Sequence, residues 1–226
     1  MNHQPELYWI SGSPYAWRVM LTLEVKQASY ASHLLEASKG DLKKPEYLRL
    51  NPRGRVPTLK HGEHVLNESL AIMAYLDRAF PAPSIFGESA HEAARNWRLI
   101  SEFFSYLYGP LNRIVTPLYA GKTAEKADDI RAALPVVHEE LGRLERALGD
   151  AAWLGGRAVS AADIAIYPFV KSLLRAASKD AAAAFNLGIL PLSTSYPRLA
   201  DWTQNVERIP GFARTYPPHW REAQAA

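Results

Sequence analysis

The chain has 226 residues, 48% hydrophobic and 22% charged, the make-up of an ordinary globular protein with material for one large domain or two smaller ones. A net charge of +3, with no run of five like charges and no basic stripe interleaved with aromatics, argues against a nucleic-acid platform and favours at most a small anionic ligand. There are no cysteines, which excludes disulfides, thiolate metal sites and a protein thiol as nucleophile; any sulfur chemistry must use sulfur carried by a ligand.

The first residues, MNHQPELYWI, lack a basic region followed by a long apolar one, so they do not read as a signal peptide. No apolar run reaches the roughly 18 residues that a membrane span needs. A cytoplasmic protein is expected. Residues 7–10 then form a compact apolar run of strand length. Residues 14–26 are largely apolar with few breakers, as in a buried helix. Residues 30–35 read as a second strand and 44–50 as a short helix. Residues 56–60 and 65–66 flank His61-Gly62-Glu63-His64 as the arms of a hairpin. Over 69–80, Leu70, Ile72, Met73, Leu76 and Phe80 recur at helical spacing. The order is β-α-β-α-β-β-α, and its opening strand–helix–strand unit implies a parallel pair with a right-handed crossover.

Composition changes at Phe80-Pro81-Ala82-Pro83-Ser84, which is stiff and polar enough for a linker. Beyond residue 90 the pattern is helical throughout. Trp97, Leu99, Phe103, Phe104, Leu107 and Leu111 form one long apolar pattern, and further helices are expected near 124–148, 160–178 and 197–208. Pro135 is expected to start or bend the helix that contains it. The chain thus divides into an α/β domain over 1–80, a linker over 81–90 and an all-helical domain over 91–226.

Three loops carry chemistry. In an open α/β sheet, ligands sit beyond the carboxyl ends of parallel strands, where helix N-termini converge. The stretch ISGSPYAWRV lies at such a junction: Ser13 suits an N-cap and Pro14 the first helical position, a pairing that is most often only a cap. In NPRGRVPTL, Pro57 stands where a strand should begin. A cis peptide there would turn the Val56 N–H and C=O outward to pair with an extended ligand; otherwise Pro57 only protects a sheet edge. In VLNESL a strand passes straight into a helix. The helix N–H groups with the Ser69 hydroxyl would hold a carboxylate while Glu68 faces an ammonium, together an α-amino-acid clamp.

SPYAWRV, then NPRGRVPTL, then NESLAIMAYLD, followed by a helical region, resembles the cytosolic glutathione transferase family over nearly the whole chain. Two later segments agree: VSAADIA is similar to that family's buried capping box, and YPRLADW to its late helix. The resemblance implies a thioredoxin-like N-terminal domain, an all-α C-terminal bundle, glutathione as co-substrate with no metal, a detoxification role and a homodimer. Its dimer face would lie on the first long helix, where Arg95 or Arg98 would cross. Carried over, Ser13 matches the catalytic serine of the phi, tau, theta and zeta-like classes. Val56, beside a cis Pro57, matches the residue whose backbone pairs with the cysteinyl part of glutathione. Glu68 and Ser69 match the pair that grips the γ-glutamyl end. Lys43 resembles the basic residue reaching the glycyl carboxylate, with Arg55 nearby. Leu42 stands where phi-type chains often carry a histidine, which shifts that contact toward Lys43 or Arg55. Tyr8 is the only candidate for a tyrosine-class site and lies early relative to the helix start. Arg18 is assigned no role in the chemistry. Tyr15, Tyr106, Tyr108, Arg113, Tyr119 and Trp220 are the candidates to line an apolar electrophile pocket.

A free thiol ionises near pH 8.5, and the thiolate is the nucleophile. A serine hydroxyl is no base, but it can donate to the sulfur anion beside the positive end of a helix. One charge-assisted bond of about 1.5–3 kcal/mol, set against about 1.4 kcal/mol per pKa unit, lowers the thiol by about one to two units. The leading expectation is a transferase that joins glutathione to a small apolar electrophile or reduces a peroxide with it. The alternatives are a glutathione-dependent maleyl-acid isomerase, with which the chain shares Trp17-Arg18 but not a preceding cysteine, and a non-catalytic glutathione-binding protein on the same scaffold. His61 and His64, around a turn glycine, read as a solvated hairpin and not a metal site.

Overall fold

The computed structural model describes residues 3–225. Its contacts form two compact units, one running up to Ser84 and joined by the stretch from Ile209 onward, the other spanning Ile85–Arg208. The first unit contains β1 (Glu6–Trp9), α1 (Pro14–Val25), β2 (Ala31–Leu34), α2 (Pro45–Leu50), β3 (Thr58–His61), β4 (His64–Asn67) and α3 (Ser69–Ala79), the expected order. The sheet runs β2-β1-β3-β4, with β1 parallel to β2 and antiparallel to β3. The β3–β4 hairpin pairs His61 with His64 across a two-residue turn, where Gly62 takes φ +59°.

Alternation along β1 decides which face is core. Leu7 and Trp9 pack against Ala16, Val19, Met20 and Leu23 of α1 and against Ile72 and Leu76 of α3, while Glu6 and Tyr8 face the other way. Every residue of α1 from Ala16 to Val25 is buried, which is why that helix reads as apolar almost all round. Each fully buried Leu or Ile here contributes about 1.5–3 kcal/mol, so Leu7→Ala would cost about 2–5 kcal/mol once its cavity is included.

Some boundaries differ from the sequence expectation, for local reasons. β1 ends at Trp9 because the Ile10 carbonyl closes a turn by accepting from Ser13 N at 3.3 Å. β3 starts at Thr58 because Pro57 has no N–H for the ladder. Short 3-10 turns at Ala37–Lys39 and Asp41–Lys43 fill the connection into α2.

The largest difference is at the C-terminus. The sequence assigns everything after residue 90 to the helical domain, yet the residues from Ile209 onward, with α10 (Phe212–Thr215) and α11 (Pro218–Ala225), group with the first unit. (α4 to α9 belong to the second unit.) The cause is Trp17. Its indole N–H donates to Thr215 Oγ1 at 2.9 Å, and its rings meet Phe212, Tyr216 and Trp220 at 6.1, 5.7 and 5.4 Å. Arg214 adds an ion pair to Glu24.

The second unit is helical: α4 (Ala90–Glu102), α5 (Tyr108–Ala120), α6 (Ala127–Leu148), α7 (Ala161–Ala177), α8 (Leu192–Ser195) and α9 (Pro197–Glu207). A single π turn, Phe103–Leu107, joins α4 to α5. α6 runs through Pro135 and does not start there. The stripe Ile130, Ala133, Val137, Leu141, Leu144 and Leu148 is buried on both sides of the proline, and that packing outweighs the one lost backbone bond. The expected buried capping box heads α7. Asp163 accepts from Leu154 N (2.7 Å), Ser160 N (2.9 Å), Ser160 Oγ (2.7 Å) and Trp202 Nε1 (2.8 Å), tying α9 to the start of α7. Burial pushes its carboxyl up from the ordinary range, against these four donors. Among the described residues no helix is long and apolar enough to cross a membrane.

Candidate active site

Register brings the three loops together. β1 is antiparallel to β3 with Tyr8 opposite Thr58, and Thr58 is in turn opposite Asn67 of β4. The end of β1, the start of β3 and the end of β4 therefore share one edge of the sheet. Ser13, Val56–Pro57 and Glu68–Ser69 all leave from that edge.

Ser13 is the N-cap of α1, with extended backbone at φ −73° and ψ 114° and Pro14 in the first helical position. Its Oγ accepts from Ala16 N at 3.3 Å. Among the described residues the hydroxyl donates to nothing, and the residue is half-buried, so its proton remains available at a helix N-terminus. Capping and anion binding are compatible here because they use opposite ends of the same hydroxyl.

The Val56–Pro57 peptide is cis, and Val56 precedes the β3 ladder. Its loop is shaped by polar residues that the sequence reading passed over. The buried Asn51 donates to the Arg55 carbonyl at 2.7 Å and accepts from Arg53 N at 3.1 Å. The Tyr47 hydroxyl donates to the same Arg55 carbonyl at 2.5 Å, and Thr58 Oγ1 donates to Asn67 Oδ1 at 2.9 Å. The signal for Asn51 was its place before a proline, where an Asx-type turn is favoured.

Glu68 takes φ +67° and ψ 107°, a region that costs a non-glycine residue about 1–3 kcal/mol. Its side chain is exposed, whereas Ser69, the first residue of α3, is buried. Arg18 explains how Ser69 is held. Its Nε and one Nη donate to Ser69 Oγ at 2.9 and 2.5 Å, and its guanidinium carbon lies 5.2 Å from the Tyr15 ring. A hydroxyl has two acceptor positions and one proton. Because Arg18 takes Ser69 Oγ as its acceptor, the hydroxyl proton is directed away from the guanidinium and can donate, which is what binding a carboxylate requires. Arg18 thus fixes the Ser69 hydroxyl at the head of α3, where the sequence had assigned it no role in the chemistry.

Lys43 closes the second 3-10 turn and is exposed, as is Arg55. Tyr8 lies on the sheet face with His33, its ring 4.5 Å away, and its hydroxyl donates to Glu6 at 3.2 Å. Burial and the Glu6 carboxylate push that phenol above its ordinary range, and its proton is directed to Glu6.

In the second unit the aromatic candidates divide between two faces. Tyr106, 59% exposed, lies on a groove of about 600 Å³ with Glu140, Arg143 and Arg146 of α6, and Arg113 reaches Asp129 of α6 at 3.4 Å. Tyr108 packs edge-on to Phe169 of α7 at 5.5 Å, and the Tyr119 hydroxyl donates to the Ser172 carbonyl of the same helix at 3.4 Å. Trp220 belongs to the first unit and is buried against Trp17.

Residues 12–79 match the family model "Glutathione S-transferase, N-terminal domain" and residues 107–205 the model "Glutathione S-transferase, C-terminal domain". Glutathione S-transferase A of Pleuronectes platessa is 30% identical over 223 residues, covering 96% of this chain and 93% of its own length. A probable maleylacetoacetate isomerase of Vibrio cholerae serotype O1 is 28% identical over 232 residues, covering 96% of each chain. The crystal structure of a glutathione S-transferase from the Antarctic clam Laternula elliptica superposes with a TM-score of 0.81 at 28% identity, covering 97% of this chain and 94% of that one. Both family models match, over residues that hold β2, β3, β4, the three loops and most of the helical unit, and the chain belongs to the glutathione S-transferase family.

Proposed function

We propose that the chain binds glutathione at the shared sheet edge, stabilises its thiolate with the Ser13 hydroxyl, and joins it to a small apolar electrophile or uses it to reduce a peroxide. The observation that carries this reading is the Ser13 hydroxyl, which caps α1 through Ala16 N and keeps its own proton to donate. The tripeptide's ammonium faces Glu68. Its γ-glutamyl carboxylate lies on the Ser69 hydroxyl and the first N–H groups of α3, a helix N-terminus suited to an anion. The Val56 backbone pairs with the cysteinyl unit as an added strand would. Lys43, with Arg55 near it, meets the glycyl carboxylate.

The thiol proton leaves to solvent, and Ser13 donates to the sulfur anion without losing its own proton. A sulfur lone pair then forms the C–S bond as the electrophile's leaving group departs with its electron pair. Tyr15, half-buried and two residues after Ser13 at the start of α1, is the candidate for contact with that electrophile. The reading extends to a cytoplasmic homodimer with the exposed Trp97 side of α4 as the contact face. Arg98 there already holds Glu102 of its own helix at 2.7 Å, which leaves Arg95 as the stronger candidate to cross.

Calorimetry with glutathione, followed by assays with an aryl halide, an alkyl hydroperoxide and a maleyl acid, tests this. Binding with turnover of either of the first two supports it. Turnover of the maleyl acid alone favours the isomerase reading, which Trp17-Arg18 and the isomerase relative recommend. Binding without turnover leaves the non-catalytic alternative, and absence of binding defeats all three.

A further inference from the structure

We propose that His219 is a positioning residue of the thiol site: acting through Ser11, it holds the turn that aims the Ser13 hydroxyl. The turn over residues 10–13 has little of its own to fix it. One backbone bond closes it, from Ser13 N to Ile10 O at 3.3 Å, beyond the usual range. Gly12 occupies the third position at φ +81°, as a type II turn requires, and lends no side chain to lock it.

What the turn lacks locally, α11 supplies. Ser11 Oγ is hydrogen-bonded to His219 Nδ1 at 2.6 Å. The same imidazole covers Gly12 so closely that a Cβ there would lie 2.8 Å from its Cε1. Both residues that lead into Ser13 therefore rest on one ring. That ring is itself anchored, because the next residue, Trp220, is 3% exposed and stands edge-on to Trp17 and Tyr216 at 5.4 and 5.9 Å. Trp17 also donates its indole N–H to Thr215. Contacts thus run from α1 through Trp17 to the C-terminal segment and return through His219 to the turn that starts α1. Ser13 sits inside this closed loop. A catalytic group displaced by about 1 Å loses about a hundredfold in rate, so a brace of this kind has a kinetic consequence that a simple anchor for the chain end lacks.

The inference rests on the proposed function. Its test uses the full chain and the variants His219→Ala, His219→Asn and Ser11→Ala. The readouts are kcat, KM for glutathione and the ultraviolet band of the bound thiolate. His219→Ala and Ser11→Ala are each expected to lower kcat about tenfold to a hundredfold and to weaken the thiolate band. KM for glutathione should move less than about twofold, because the clamp on α3 is untouched. Asn places an amide where Nδ1 stood, so His219→Asn should restore most of kcat. Ser11→Ala removes one hydroxyl from a half-exposed turn and stays informative should the His219 variants fold poorly. Unchanged kcat and thiolate band in Ser11→Ala, an Asn variant no better than Ala, or a raised KM with kcat intact each overturn the proposal. Failure of the unaltered chain to bind glutathione overturns both readings; normal turnover with indifferent variants overturns this one alone.

Discussion

Ser13 at the head of α1 and Ser160 at the head of α7 occupy the same position relative to their helices, and their hydroxyls are used in opposite ways. Ser160 is 5% exposed, and both its N–H and its Oγ–H donate to Asp163, at 2.9 and 2.7 Å. Its proton is committed inside the protein. Ser13 is half-buried and accepts from Ala16 N at 3.3 Å, with its proton donated to no described residue. Cap position therefore says nothing about function; the destination of the hydroxyl proton does. The spacing foreshadows this, since Ser160 has an acid three residues on to receive it and Ser13 has Ala16.

The largest expected effect lies at the structural member of the pair. Asp163→Ala would strand four buried donors, on Leu154, Trp202 and Ser160, and should cost about 3–5 kcal/mol of stability. Thermal unfolding measures it. Glutathione affinity of the protein that remains folded should be unchanged. A loss of affinity with full stability would break the distinction between the two caps.

Ser13→Ala should do the reverse. Loss of the cap costs only about 1 kcal/mol, while kcat/KM falls about a hundredfold, as for removal of one donor to a developing anion. The pH profile sharpens this. Without the hydroxyl, the bound thiol returns toward the free value, so the rate of the variant should keep rising through about pH 8.5, where that of the unaltered enzyme has levelled. A parallel profile at lower height would mean that Ser13 orients the sulfur without stabilising its charge.

Arg18→Lys probes the next level of support. Lysine keeps the positive charge but replaces two N–H donors converging on Ser69 Oγ with one point donor. The Ser69 hydroxyl is then free to turn, and KM for glutathione should rise about tenfold with kcat nearly unchanged. A fall in kcat instead would place Arg18 with the thiol and not with the clamp.

How much of this was legible in the sequence follows from range. The Ser-Pro, Val-Pro and Glu-Ser pairs are local marks on a β-α-β-α-β-β-α pattern, and each stands at a turn whose chemistry two or three residues determine. Arg18 and Ser69 lie 51 residues apart, and Trp17 and Thr215 lie 198 apart. At that distance a helical arginine gives no sign of its partner, and Phe212, Tyr216 and Trp220 cannot be told from core aromatics of the helical region. Pro135 does not start its helix for a related reason. The rule against proline inside a helix is local, and the apolar stripe that overrides it is tertiary.

Glu68 offers the smallest effect and tests whether strain marks the functional side of the comparison. At φ +67° it sits in backbone that glycine adopts freely, and no described hydrogen bond of its side chain repays the conformation. Glu68→Gly should therefore leave stability unchanged or raise it by up to about 1 kcal/mol, the relief of strain being partly offset by the freer unfolded chain. Glutathione affinity should fall about fivefold with the loss of the carboxylate proposed to face the ammonium. Glu68→Gln separates the two terms, because it keeps the strained backbone and removes only the charge. It should match the glycine variant in affinity and the unaltered chain in unfolding temperature. A glycine variant that is less stable than the unaltered chain would show that the Glu68 side chain supports the fold, and the contrast between a strained, functional loop and a relaxed, structural cap would no longer hold.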